Sequence, residues 1–182
     1  VWSMKDMFNN ATSFNQDIGG WNVSSVTSIG GMFWSATSFN QDLDSWDVSS
    51  VSDMFSMEYM FLDATSFNGN ISSWDVSSIT SMSNMFRGAT SFNQDIGGWN
   101  VSSVTSMVGM FRDATSFNQD LGGWDVSSVT TMGEMLRDSG LSIANYDATL
   151  NGWAELDLKT TVVLGARSLI YSKVGATPRQ YI

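Results

Sequence analysis

The stretch MFRGATSFNQDIGGWNVSSVTSMVG, residues 85–109, decides the fold, because close copies of it follow one another along most of the chain. The tryptophans give the period, since Trp21, Trp46, Trp74, Trp99 and Trp124 are 25, 28, 25 and 25 residues apart. The 28-residue step comes from a three-residue insertion, which we place near residues 55–59. Chance does not produce five copies in register, so the sequence predicts a tandem-repeat protein.

Nine positions stay apolar from copy to copy, and we expect their side chains to point inward. In the copy quoted above they are Met85, Phe86, Ala89, Phe92, Ile96, Trp99, Val101, Val104 and Met107. One copy alone cannot bury this face, so neighbouring copies must stack on it. The segment Ser-Phe-Asn-Gln-Asp-Ile favours a short strand, and Val-Ser-Ser-Val-Thr-Ser-Met favours a second extended piece or a short 3₁₀ turn. The predicted fold is a β-rich repeat solenoid, a right-handed coil of about 25 residues per turn with short parallel strands.

The repeats occupy residues 1–138, about five turns, and residues 139–182 depart from the pattern. Ile143, Tyr146, Leu150 and Trp153 share one face of an amphipathic helix with Ser142 as its N-cap. A strand is predicted at 160–164, and Pro178 is expected at the start of a final helical turn. Because the end of a solenoid exposes apolar surface and strand edges, this segment is predicted to be a small α/β C-terminal cap. Val1 falls inside a repeat, so we also expect neighbouring repeats of a longer parent protein.

The composition is acidic and lacks two reactive residue types. The chain has 8 Lys and Arg against 18 Asp and Glu, a net charge of −10, and it contains neither cysteine nor histidine. An acidic surface repels phosphate groups, which argues against nucleic-acid partners and anionic membranes. No apolar run is long enough to span a bilayer, so membrane insertion is not expected.

The same composition argues against catalysis. Serine is abundant, but there is no histidine to activate it and no Ser-x-x-Lys motif. Paired carboxylates can hydrolyse glycosides, yet these carboxylates recur with the repeat, whereas catalytic pairs are normally unique. We expect no enzyme and no required cofactor. A β-helical carbohydrate-active enzyme stays open as an alternative, as does an ice-binding solenoid with a Ser/Thr-rich face.

Polar columns run alongside the apolar ones. We expect an internal ladder of stacked asparagine amides, with the tryptophans as a second structural ladder: Asn15, Asn40, Asn68, Asn93 and Asn118, and Trp21, Trp46, Trp74, Trp99 and Trp124. The aspartate two residues after the asparagine either caps a turn or, with copies about 5 Å apart, binds bridging calcium. The candidate calcium ligands are Asp17, Asp42, Asp95 and Asp120. The Asn and Asp residues that alternate after tryptophan favour turn closure.

One turn departs from the others and is the candidate for a specific ligand-binding site. The third turn replaces Asn-Gln-Asp with Asn68-Gly69-Asn70 and carries the insertion. Trp34 occupies a variable position, so we expect it to be exposed. Exposed aromatic groups beside acidic groups suit sugar stacking or a protein hot spot, whereas the alternative is a loop that packs on its own coil. The candidate binding residues are Trp34, Phe55, Met57, Glu58, Tyr59 and Leu62.

The pattern Met-Phe-x-x-Ala-Thr-Ser-Phe-Asn-Gln-Asp-Ile-x-x-Trp-Asp/Asn-Val-Ser-Ser-Val-Thr-Ser-Met resembles the bacterial surface protein repeat of about 26 residues, a family related to BspA-like leucine-rich repeats. The resemblance covers residues 1–138. It implies a leucine-rich-repeat-like fold, a cell-surface or secreted location, and no catalytic residues. We therefore predict a non-catalytic repeat domain that presents a repetitive polar face for adhesion or for binding protein or glycan at a cell surface. The alternative is a calcium-stabilised adhesin or spacer segment.

Overall fold

The computed structural model describes residues 2–52, 55–159 and 162–172, and regular secondary structure occupies little of them. Strand β1 spans Trp2–Ser3, strand β2 spans Val26–Ser28, and helix α1 spans Ile143–Ala154. Strands β1 and β2 pair in parallel, with Trp2 opposite Val26. Isolated parallel bridges join Ser81 to Ser106, Ser106 to Thr131 and Met132 to Leu164. No helix in the described part of the chain combines the length and the apolar character that crossing a membrane requires.

Backbone hydrogen bonds join each repeat to the next at equivalent positions. The Phe33 N–H donates to the Met60 carbonyl at 2.9 Å, and the same bond recurs in the later repeats at 2.9 Å: Phe61 to Met85, Phe86 to Met110 and Phe111 to Met135. The row continues into the tail, where Leu136 donates to Gly165 at 2.9 Å. Residues that are one repeat apart in sequence are therefore stacked in space.

The segment Ser-Phe-Asn-Gln-Asp-Ile forms no regular strand in the described residues, contrary to the prediction. The physical reason is that side-chain carbonyls replace part of the backbone ladder. Each asparagine Oδ1 accepts the backbone N–H of the asparagine in the next repeat at 2.8 Å. This chain of hydrogen bonds links, in order, Asn15, Asn40, Asn68, Asn93 and Asn118. The glutamine that follows donates its Nε2 to the asparagine carbonyl of the preceding repeat, as Gln94 does to Asn68 at 2.7 Å.

The core is a stack of aromatic rings. Within the second repeat Phe33 lies on Phe39 with ring centroids 3.9 Å apart, and Phe33 lies 5.5 Å from Phe61 in the following repeat. The phenylalanine columns are fully buried from the second repeat onward, together with the other inward positions predicted from the sequence. In the first repeat Trp21 is 41% exposed, whereas Trp46 is 3% exposed. The difference arises because, among the described residues, no repeat lies on the far side of Trp21.

Two left-handed residues shape each repeat. The first column has φ between 56° and 61° and comprises Asp6, Gly31, Tyr59, Asn84, Gly109 and Glu134. The second column has φ between 54° and 68° and comprises Asn10, Ser35, Asp63, Gly88, Asp113 and Asp138. Glycine, asparagine and aspartate tolerate this conformation best, which explains most of the residues at both positions.

Helix α1 closes the stack at its C-terminal end. It begins after the predicted N-cap Ser142, whose side chain accepts the Asn145 N–H. Tyr146, Thr149, Leu150 and Trp153 are buried, but Ile143 is 48% exposed and does not share the buried face as predicted. The helix takes over the asparagine ladder, because the Ser142 N–H donates to Asn118 Oδ1 at 2.8 Å. Of the predicted strand at 160–164, residues 160–161 lie outside the described residues, as does Pro178.

Replacing a left-handed glycine tests this backbone geometry. Gly88 has a φ of +68°, and a Cβ there would collide with the Asp63 carboxylate. We expect Gly88→Ala to lower stability by about 1–2 kcal/mol, because alanine is strained in the left-handed conformation even when the Asp63 carboxylate moves aside. The measurement is thermal unfolding followed by circular dichroism.

The matched control is Gly98→Ala in the same repeat, since a Cβ at Gly98 would meet nothing within 4 Å. We expect this variant to melt at or slightly above the wild-type temperature, because alanine restricts the unfolded chain. Equal losses for the two variants would contradict the assigned backbone.

Candidate binding site at the third repeat

The three inserted residues lie earlier than the sequence suggested. The Val51 N–H donates to Val48, as Val104 does to Val101, so the chain keeps the common register up to Val51. The Met60 N–H donates to Met57, as Met85 does to Met82, so the register is regained at Met57. The extra residues therefore fall between Val51 and Met57, a range that overlaps the predicted 55–59 only at residues 55 and 56.

This register corrects the expectation for two candidate residues. Met57 is fully buried because it occupies the inward column that Met82 fills in the next repeat. Leu62 is only 6% exposed, in a column where Trp34 precedes it and Arg87 follows it, both with longer side chains. Neither Met57 nor Leu62 presents a side chain to a ligand, and both belong to the packing of the repeat.

The other aromatic candidates are exposed. Trp34 and Tyr59 are each 38% exposed, and Phe55 is 56% exposed. The Trp34 and Tyr59 rings stack with centroids 5.8 Å apart and an angle of 24° between their planes. They come from consecutive repeats, so the stacking of repeats itself brings these two rings together.

A cavity of about 360 Å³ opens beside these rings. We call it the aromatic site, and its lining comes from three consecutive repeats: Lys5 and Asp6, then Gly30, Gly31 and Trp34, then Phe55, Glu58 and Tyr59. Glycine is required at position 30, because a Cβ there would lie 2.5 Å from the Phe55 carbonyl oxygen. The insertion and the Gly30-Gly31 pair thus form the site jointly.

Tyr59 holds an unfavourable backbone conformation in this site. Its φ is 59°, in a column that otherwise contains glycine, asparagine, aspartate and one glutamate. A bulky residue in the left-handed region costs about 1–2 kcal/mol. The glutamate, Glu134, is held by ion pairs with Arg112 and Arg137, and the Arg137 hydrogen bond lowers the pKa of its carboxyl. Among the described residues no ion pair holds Tyr59, and its ring is half open to solvent.

Charged groups surround the aromatic rings. Lys5, Asp6 and Glu58 line the same cavity. The Glu58 carboxylate accepts a hydrogen bond from the Ser81 hydroxyl, which lies 3.1 Å from the buried Ser83 hydroxyl. Within the described residues, Lys5 has no carboxylate within 4.0 Å. The site therefore offers one ammonium donor and two carboxylate acceptors beside its apolar walls.

The family to which these repeats belong is decided by a match over most of the chain. The family described as "Mycoplasma protein of unknown function, DUF285" matches residues 1–59 and 51–153. The chain belongs to this family. The two matches overlap at 51–59, the stretch that contains the insertion. No curated protein and no solved structure matches significantly.

The predicted calcium column of these DUF285 repeats serves the turns. Asp17, Asp95 and Asp120 each accept the N–H two residues later, at 2.8–3.0 Å. Asp42 accepts the Asn70 N–H of the next repeat at 2.8 Å. The described residues contain no group of three or more acidic side chains placed to hold a metal ion. The geometry favours turn capping for this column.

The broken triplet in the third turn also has a local explanation. A Cβ on Gly69 would collide with the Gln41 carbonyl, so the backbones of the two repeats approach too closely for a side chain. The departure from Asn-Gln-Asp therefore reflects packing and does not mark the aromatic site.

The serine and threonine hydroxyls of the DUF285 repeats are engaged between turns. Thr105 Oγ1 donates to the Thr80 carbonyl and Thr130 Oγ1 to the Thr105 carbonyl, each at 3.1 Å. Ser50 Oγ donates to the Ser24 carbonyl at 2.7 Å. These hydroxyl protons are used inside the stack, so the columns of Thr105 and Ser50 offer a ligand few donors. The aromatic site is therefore the stronger candidate for recognition.

Tyr59→Asn tests the strain at the aromatic site. Asn84 has a φ of 56° at the same position of the next repeat, so asparagine suits this backbone. The variant loses ring stacking of about 0.5–1.5 kcal/mol and gains about 1–2 kcal/mol of relieved strain. We expect its melting temperature to equal or exceed that of the wild type. As a control, Tyr59→Val should melt lower, because a β-branched residue is poorly tolerated at positive φ; a lower melting temperature for Tyr59→Asn than for Tyr59→Val would refute the assignment.

Acid stability tests a second polar column. Hydrogen bonds from the serine two residues later, first from its hydroxyl and then from its N–H, lower the pKa of the Asp47, Asp75 and Asp125 carboxyls. A carboxyl with a lowered pKa stabilises the fold at higher pH, and this stabilisation is lost as the pH falls below about 4. We expect the triple variant Asp47→Asn, Asp75→Asn, Asp125→Asn to lose less stability between neutral pH and acid than the wild type.

The fold supplies the control for this experiment. Asn22 and Asn100 occupy the same column and accept the same pair of bonds, with the serine hydroxyl at 2.7 Å in both. Asparagine thus preserves the turn, and the triple variant should melt like the wild type at pH 7. A variant with the reverse changes, Asn22→Asp and Asn100→Asp, should lose more stability between neutral pH and acid than the wild type. Identical acid profiles for all three proteins would show that these carboxyls do not govern the loss.

Proposed function

We propose that this chain is a non-catalytic repeat domain of a cell-surface or secreted protein, and that it binds an external partner at the aromatic site. The observation that carries the proposal is Tyr59, a bulky residue at φ 59° whose ring is 38% exposed. Strained residues persist where the surrounding structure over-determines them, and they concentrate at functional sites. The other repeats fill this position with residues that avoid or compensate the strain.

The composition of the site supports binding. Trp34, Phe55 and Tyr59 place three exposed aromatic side chains around one cavity, and aromatic residues dominate the energy of recognition surfaces. Elsewhere most exposed positions of the repeats carry small polar or charged side chains, and the large apolar exceptions, Trp2, Met7 and Trp21, lie in the first repeat. An aromatic site within a largely polar, repetitive surface is the arrangement expected when a scaffold presents a recognition element.

The proposal includes the architecture and the location. The proposed architecture is a right-handed solenoid closed by the C-terminal segment, and the bonds between equivalent residues of successive repeats support its stacking. A relationship to BspA-like leucine-rich repeats would place the domain outside the cell. Membership in the DUF285 family is consistent with a repeat protein and leaves the partner to be identified.

The experiment is a binding screen of the labelled chain against immobilised glycans and immobilised extracellular proteins, with calcium and with chelator. The variants are Trp34→Ala and Tyr59→Asn, and the control is Trp21→Ala, which removes an exposed tryptophan outside the cavity. We expect the wild type and the control to bind the same target and the two site variants to bind at least ~10-fold more weakly, a loss of about 1.4 kcal/mol.

Two results would overturn the proposal. Retained binding by both site variants would place recognition elsewhere on the repeats. The absence of any target at every salt and calcium concentration would make a passive spacer the better description. Because Tyr59→Asn is expected to melt no lower than the wild type, its loss of binding cannot be attributed to unfolding.

A further inference from the structure

We infer that the ligand of the aromatic site is one pyranose ring of a neutral glycan. The inference rests on the proposed function and names its ligand class. The cavity of about 360 Å³ lies at the lower end of the range for small-molecule sites. A protein partner would need contact area beyond this cavity, since an interface of standard size buries about 800 Å² on each side. The cavity therefore has the scale of a sugar unit.

The walls match the two chemical parts of a pyranose. A pyranose ring has apolar C–H faces and a rim of hydroxyl groups, so it needs an aromatic surface together with polar groups at its edge. The stacked Trp34 and Tyr59 rings supply the aromatic surface, with Phe55 beside them. A hydroxyl group both donates and accepts, and the site provides both functions through the Lys5 ammonium and the carboxylates of Asp6 and Glu58.

The polar groups are placed for use by a ligand. Glu58 is fixed by the Ser81 hydroxyl, which is buried and tied in turn to Ser83, so one carboxylate is oriented before any ligand arrives. Lys5 has no carboxylate within 4.0 Å among the described residues, so its ammonium is available to a hydroxyl group. Pre-oriented polar groups reduce the ordering cost of binding.

Charge separates a neutral sugar from two other ligand classes. The lining groups Lys5, Asp6 and Glu58 sum to one negative charge, and the whole chain carries −10, so an acidic sugar is repelled. A quaternary ammonium group suits an aromatic cage with carboxylates, but the ammonium of the lining residue Lys5 repels it. A neutral ring that takes hydrogen bonds from both signs of charge fits the complete lining.

The test is a nuclear magnetic resonance titration of the ¹⁵N-labelled full chain with methyl glycosides of glucose, galactose, mannose and N-acetylglucosamine. We expect at least one of them to produce saturable shifts of the Trp34 indole and the Tyr59 amide at millimolar concentration. Trp34→Ala and Tyr59→Asn should weaken this binding at least ~10-fold, and Trp21→Ala should leave it unchanged. Tetramethylammonium chloride in the same titration should have no saturable effect.

The outcomes separate this inference from the function on which it rests. Saturable binding of tetramethylammonium without any effect of the glycosides would assign the site to a cationic ligand and would overturn the inference of a sugar ligand. A second outcome is that no glycoside binds, while the screen yields a protein target that the Tyr59→Asn variant no longer binds. The inference of a sugar ligand is then wrong, and the proposed binding function stands. If neither experiment yields a Tyr59-dependent ligand, both proposals fail.

Discussion

The hydrogen bond from one buried tryptophan indole per repeat, from the second repeat onward, to a carbonyl of the preceding repeat is the constraint on which the rest of the structure depends. Trp46, Trp74, Trp99 and Trp124 donate Nε1–H to Ile18, Leu43, Ile71 and Ile96 at 2.8–3.2 Å. Trp153 of helix α1 makes the same bond to Leu121 at 2.9 Å, so the cap occupies the position of a further repeat. A buried carbonyl that loses its partner costs about 1–3 kcal/mol, and one indole per repeat removes that cost.

This bond fixes the register, and the register determines where variation is tolerated. The columns that contact the neighbouring repeats admit few changes, because a change in one repeat alters the packing of two. The left-handed turn at Asp6, Gly31 and Tyr59 lies outside the aromatic core, and the three inserted residues enter close to it. The aromatic site therefore arises where a repeat can change its side chains without breaking the stack.

Periodicity made the buried columns predictable, because side chains that recur every 25 residues and stay apolar must meet their own copies. The helical spacing of Ile143, Tyr146, Leu150 and Trp153 predicted a helix after Ser142, although the exposure of Ile143 depends on how the helix docks. The strand at Ser-Phe-Asn-Gln-Asp-Ile was wrong, because the pattern alone does not reveal that an asparagine side chain replaces a backbone acceptor. Most of each repeat has an irregular backbone, and no sequence pattern predicted that irregularity.

The candidate site was predictable in part. Trp34 and Tyr59 could be found as aromatic residues at variable positions, but their mutual stacking depends on contacts between repeats. Met57 was assigned to the surface because the insertion was placed too late by a few residues, and Leu62 because it occupies the variable position that Trp34 fills one repeat earlier. Lys5, Asp6, Gly30 and Gly31 were missed altogether. Asp6 and Gly31 lie in the same repeat position as Tyr59, and this shared position was the sequence signal that could have identified them.

The most direct test of the stacked register is hydrogen exchange at the eight tryptophan indoles, followed by nuclear magnetic resonance. The account predicts slow exchange for the five indoles that donate to the preceding repeat, namely Trp46, Trp74, Trp99, Trp124 and Trp153. It predicts fast exchange for the exposed Trp2, Trp21 and Trp34. Uniform exchange of all eight, or protection of a different set, would contradict the claim that each repeat is locked to the one before it.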